Sequence, residues 1–173
     1  MAKIIAAYIL RLALLILAQA VIFNNLVLFN VAVPLVFVYG IISMPVTWST
    51  NVSMLIGFAT GALVDIFSNT LGVFTLSSTI LAFARKPLFH LYVQRDDDLS
   101  GLRPSQRSMG TAAFLKYALT MVLAFCILCF TIDAFFIFSP WRYLLQIGTS
   151  TVYTLVIIYA LDSIFTRQHE KRL

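Results

Sequence analysis

The sequence predicts an all-α membrane protein: a single domain of six transmembrane helices, with only one loop of any size. Three observations carry this. Of 173 residues, 61% are hydrophobic and only 11% charged, against roughly a quarter charged in an ordinary soluble domain. The mean hydropathy is +0.94, and the apolar residues fall in runs near the roughly 20 residues that a bilayer requires. Most charges lie between the runs. Threading the chain six times puts Lys3, Arg85, Lys86, Arg95, Arg103, Arg107, Lys116, Arg167, Lys171 and Arg172 on one side, with Arg142 alone opposite. Excess Lys and Arg mark the cytoplasmic side, so both termini are expected there.

The formal charge of +5 does not point to nucleic acid. The basic residues flank the spans, and no basic stripe or stacking platform accompanies them. Membrane lipid is the expected surrounding.

The first span is expected at about 4–23. Lys3 followed by an apolar run, with Ala18-Gln19-Ala20 after it, is similar to a signal peptide. Arg11 interrupts the run and the stretch is long enough to cross, so an uncleaved helix is expected. Asn24 and Asn25 turn the chain. The second span is placed at about 27–45, interrupted by Asn30 and Pro34. Pro34 suits a first helical turn, and a short, partly extended or re-entrant segment is compatible with it.

The third span covers about 51–67 and the fourth about 71–89, joined by Ser68-Asn69-Thr70. The polar segment 93–110 is the cytoplasmic loop. The fifth and sixth spans cover about 111–133 and 143–165, with Trp141 and Tyr143 at the outer interface, as belt aromatics.

The most informative stretch is GFATGALVDIFSNTLGVFTL, residues 57–76. Gly57, Gly61 and Asp65 recur every fourth residue and share one helix face. Glycines at this spacing let another backbone approach closely in lipid, so the face is a candidate partner-binding surface. A charge at the centre of a span costs about 2.5–3.5 kcal/mol on insertion scales, so Asp65 is expected to face protein. A structural role is compatible with docking: with Ser68, Asn69, Thr70 and Gly72, Asp65 forms a candidate hairpin. There its carboxylate accepts from the unpaired first N–H groups of the next helix and faces the positive end of its dipole. On that reading Asp65→Asn is mild and Asp65→Leu severe.

Other polar residues read as structural. Asp133 and Asp162 sit near opposite ends of spans and do not form a relay with Asp65. Asp133 is expected to pair with Arg142, and Asp162 with Arg85 or Lys86. Cys126-Ile127-Leu128-Cys129 lies mid-span without the further ligands that zinc requires, and reads as apolar packing. Asp96-Asp97-Asp98 lacks calcium-loop spacing. His90 and His169 read as interfacial. Thr75, Ser77, Ser78 and Thr79 read as interhelical hydrogen-bonding groups that could also line a small pocket. No catalytic constellation, metal site or cofactor is expected.

The chain resembles the MreD family of bacterial rod-shape-determining membrane proteins. The likeness rests on residues 57–78, GFATGALVDIFSNTLGVFTLSS: a glycine-bearing span, Asp65 with a following aromatic, a short polar turn, and Leu71-Gly72 opening the next span. Size, an even span count and the proline near the start of span two add to it. The resemblance implies a non-enzymatic scaffold in the inner membrane that binds MreC. Through the cell-elongation complex it would meet RodA, a penicillin-binding transpeptidase and MreB, and help organise lateral peptidoglycan synthesis. It also implies a six-helix fold similar to the substrate-binding subunits of energy-coupling-factor vitamin transporters, and such a subunit is the alternative reading. In one departure, Met44–Thr50 carries none of the basic residues usual for that loop in the family.

Cysteine-accessibility labelling in intact cells should find both termini protected from an impermeant reagent. Labelling of the tail from outside contradicts the even-span threading.

Overall fold

A computed structural model of the chain describes residues 2–23, 34–92, 104–133 and 140–170. The regular elements among them are all helical, with no strand: α1 (Ala2–Ala18), continued by a wide π-helical turn (Gln19–Phe23), α2 (Val38–Ile42), α3 (Thr50–Ser68), α4 (Val73–Tyr92), α5 (Gln106–Met109), α6 (Thr111–Asp133) and α7 (Pro140–Glu170). Three segments are long and apolar enough to cross a membrane: Thr50–Ser68, Thr111–Ile132 and Tyr143–Ile164; Ala7–Ile22 is a shorter apolar helix. Their outward faces expose large side chains such as Leu14, Leu55, Phe58, Ile66, Val152 and Val156. So much exposed apolar surface suits a bilayer, not water.

Helices α3, α4, α6 and α7 fall where spans three to six are expected. The second span is corrected in its described part. Its beginning, with Asn24, Asn25 and Asn30, lies outside the described residues. From residue 34 onward, in place of a span-length helix, there is only the five-residue α2, enclosed by the other helices. Leu35, Val36, Phe37, Val38, Ile41, Ile42 and Met44 are each at most 1% exposed. Sequence hydropathy does not distinguish a run that faces lipid from one buried in protein.

This enclosed segment poses a bonding problem. A single short helix pairs few of its own N–H and C=O groups, and irregular backbone at membrane depth persists only where protein satisfies it. Three helices do so here. From the π turn, Gln19 donates Nε2–H to Pro34 O (2.9 Å) and accepts from Val36 N–H (2.8 Å). From α7, Thr154 Oγ1 accepts from Leu35 N–H at 3.0 Å. From α1, Tyr8 donates its hydroxyl to Gly40 O at 2.8 Å. At the far end Arg85 of α4 donates to Met44 O and to Pro45 O. Aromatic packing fixes the middle: Phe37 meets Phe74 of α4 and Phe125 of α6 edge-on, with ring centroids 5.8 and 5.5 Å apart.

The segment leading into α6 is tied to the same core. Ser105 and Ser108 form a capping box that starts α5. Asp162 of α7 accepts from Gln106 N–H (2.9 Å) and from the Tyr39 hydroxyl (2.8 Å).

Gln19→Leu should lower the unfolding temperature in detergent, because each buried backbone group left without a partner costs about 1–3 kcal/mol. Gln19→Glu either sets a carboxylate oxygen against Pro34 O or must stay protonated there, and should also unfold below wild type. Thermal unfolding of the three proteins checks the order.

Candidate functional site

The stretch singled out in the sequence forms a tight antiparallel hairpin of α3 and α4. Helix α3 begins with Ser49, whose side chain accepts from Val52 N–H, and ends at Asn69, which adopts the left-handed conformation at φ 54°. Asparagine enters that region more readily than most residues. Both Asn69 and Thr70 return their N–H groups to Asp65 O. Gly72 has φ +80°, which favours glycine, and its carbonyl accepts from Leu76 N–H at 3.0 Å.

A glycine just before α4 offers no side chain to cap it. Asp65, one helix back, supplies the cap. One carboxylate oxygen accepts from Thr70 Oγ1–H (2.5 Å) and Phe74 N–H (3.1 Å), the other from Thr75 N–H (2.7 Å) and Thr75 Oγ1–H (2.5 Å). Four donors thus meet one carboxylate that is 5% exposed, at the positive end of a helix dipole. Ser68 closes α3, and Asp65, Asn69, Thr70 and Gly72 set the turn that follows it. Thr75 is a further member.

The partner-binding face requires correction. Gly57 and Gly61 do permit a close backbone approach, but the backbone that uses it is α4 of the same chain. A Cβ at Gly61 would lie 2.5 Å from Phe74 O and 2.6 Å from Thr75 Cα; at Gly57 it would lie 2.8 Å from Ser78 O. Helix α4 lies on this face, so the positions of Gly57 and Gly61 offer no groove to a second chain. Asp65, on the same face, is likewise turned inward.

Other expected pairings also change. Arg85 is 1% exposed and bonds to the carbonyls of Met44 and Pro45, while Asp162 bonds to Tyr39 and Gln106; the expected Asp162–Arg85 pair is replaced by these contacts. An arginine near a span end reads as a surface charge in sequence, and only the enclosed segment beside it shows why it is buried. Thr79 donates to Thr75 O within α4, whereas the buried hydroxyls of Ser77 and Ser78 have no partner. Cys126 and Cys129 are buried and form no disulfide, and among the described residues no cluster of three potential ligands could hold a metal. Asp96–Asp98 and the side chains of Asp133, Arg142 and His169 lie outside what is described.

The sequence pattern alone does not mark Gln19, Arg85 and Tyr39 as partners of the enclosed segment. The one available signal was polarity inside otherwise apolar runs.

No family model, curated protein or solved structure matches the chain.

The geometry revises the expected tolerance at Asp65. Because donors meet both oxygens, Asp65→Asn would set an amide N–H₂ against N–H or O–H donors. It should cost about 3 kcal/mol, at the upper end for hydrogen bonds to a charged group, and approach Asp65→Leu in detergent unfolding; a near-wild-type Asn variant contradicts the four-donor arrangement. Gly61→Ala should cost about 1–3 kcal/mol by overpacking and lower the unfolding temperature without any partner present.

Proposed function

We propose that the chain is a non-enzymatic scaffold of the bacterial inner membrane, of the MreD kind. It binds MreC and helps organise lateral peptidoglycan synthesis in the cell-elongation complex. Both termini lie in the cytoplasm, and RodA, a penicillin-binding transpeptidase and MreB are reached through the complex.

The observation that carries this reading is the α3–α4 hairpin. The residues on which the resemblance rests, 57–78, are those that build its close packing and its carboxylate clamp. The motif therefore has a physical reason to recur in proteins of one architecture. The apolar outward faces on α1, α3 and α7 are compatible with a protein that works by lateral contact within the bilayer. With the glycine face consumed inside the chain, the single membrane helix of MreC meets one of these outward faces.

The test is purification of the tagged, full-length chain from membranes of its own host in mild detergent, with identification of what accompanies it. An MreC-like protein with one membrane helix and a coiled coil is the expected companion. A pair of ATPases in its place would make the chain a transporter's substrate-binding subunit, and absence of an MreC-like protein overturns the scaffold reading.

A further inference from the structure

Asp162 joins two parts of the chain that are remote in sequence. Its side chain is buried. One carboxylate oxygen accepts from the Tyr39 hydroxyl of the enclosed segment at 2.8 Å, the other from Gln106 N–H of α5 at 2.9 Å. Gln106 reaches α7 a second time, donating Nε2–H to Tyr159 O at 3.1 Å. A buried carboxylate that loses a donor is left with an uncompensated lone pair, which is more costly than the bond itself was favourable. It then draws in water or rearranges toward its remaining partner. The Tyr39 bond therefore depends on α5 staying in place.

Residues 104–110 have the build of a movable strap. The Ser105–Ser108 capping box lies wholly within the turn, so undocking does not break it. Pro104 is buried and Met109 packs partly buried against the core; these contacts seat the turn, and the Gln106 bonds orient it. The joint to α6 is Gly110, at φ 79° and ψ 152°, a region that glycine alone enters readily. A Cβ there would meet nothing within 4 Å, so the requirement for glycine is one of backbone conformation and not of packing. Segments seated by few contacts open at the low end of the range of local stabilities.

We propose that residues 104–110 are a strap that controls the rigidity of the enclosed segment, with Asp162 as the coupling residue. Docked, the strap completes the donor set of Asp162, and the carboxylate holds Tyr39. Displaced, it exposes Asp162 to water and loosens the enclosed segment around Tyr39. This inference is independent of the scaffold reading.

The test is amide hydrogen exchange of the purified full-length protein in detergent, read at Tyr39 and Ser43, whose N–H groups bond to Val36 O and Tyr39 O. Phe74 and Thr75, whose N–H groups bond to Asp65, are the internal reference. Gln106→Ala keeps the N–H donor to Asp162, and Gln106→Pro removes it. Proline is tolerated at the first position of a helix, and Ser105 before it is already extended, at φ −154° and ψ 164°, as a residue preceding proline must be. Gln106→Pro should speed exchange at Tyr39 and Ser43 by about tenfold or more, the factor for losing a hydrogen bond to a charged group, and leave the reference at its wild-type rate. Gln106→Ala should have a much smaller effect. Unchanged exchange at Tyr39 and Ser43 in Gln106→Pro overturns the proposal. So does equal acceleration at Phe74 and Thr75, which is general destabilisation, or an equal effect of Gln106→Ala, which takes the coupling away from Asp162. Gly110→Ala undocks the strap through the backbone alone and gives the same readout should the proline variant fail to fold.

Discussion

Residues 34–45 cannot be wetted and cannot satisfy their own backbone, and the rest of the bundle is arranged around that constraint. A continuous helix would pair its N–H and C=O groups internally and could face lipid. A five-residue helix between turns cannot. Polar side chains that would be liabilities in isolated spans become partners here: Gln19, Thr154, Tyr8 and Arg85 each reach one part of the segment. Apolar packing by Phe37 between α4 and α6 excludes water, and exclusion of water raises the cost of any missing hydrogen bond. Packing and polar satisfaction therefore depend on each other.

The α3–α4 hairpin addresses a related problem next to this segment, where Phe74 packs on Phe37. A tight turn between two long helices strands donors at the start of the second. A side chain at Gly72 could cap them, but the backbone there takes a positive φ that favours glycine. Asp65 supplies the missing acceptor from the preceding helix. The glycines let α4 approach closely enough for the carboxylate to reach it. Clamp and groove are two parts of one device, which explains why Gly57, Gly61 and Asp65 share a face.

Much of this was legible in the sequence. The long apolar runs located α3, α4, α6 and α7 to within a few residues, because period and length are local properties. The spacing of Gly57, Gly61 and Asp65 revealed a close approach, and the polar turn after Asp65 suggested a remote cap. Which chain would fill the approach was not legible: glycine spacing encodes proximity and not identity. Nor was the burial of Arg85. Its partners are carbonyls of residues 44 and 45, and every residue type carries a backbone carbonyl, so no side-chain pattern announces them. Residues 34–45 read as a span because an enclosed apolar run and a lipid-facing one have the same composition.

The contacts that satisfy the enclosed segment are far apart along the chain. Leu35 bonds to Thr154 and Tyr39 to Asp162, 119 and 123 residues away. During synthesis the segment emerges early, while its partners on α7 are made last. Until α7 is inserted, those donors have no native acceptor, so the native bundle closes only when the final helix arrives. A chain truncated before α7 would thus retain an apolar segment with an unpaired amide at Leu35 and an unpaired hydroxyl at Tyr39, the kind of lesion by which a cell's quality control can tell an unfinished membrane protein from a complete one.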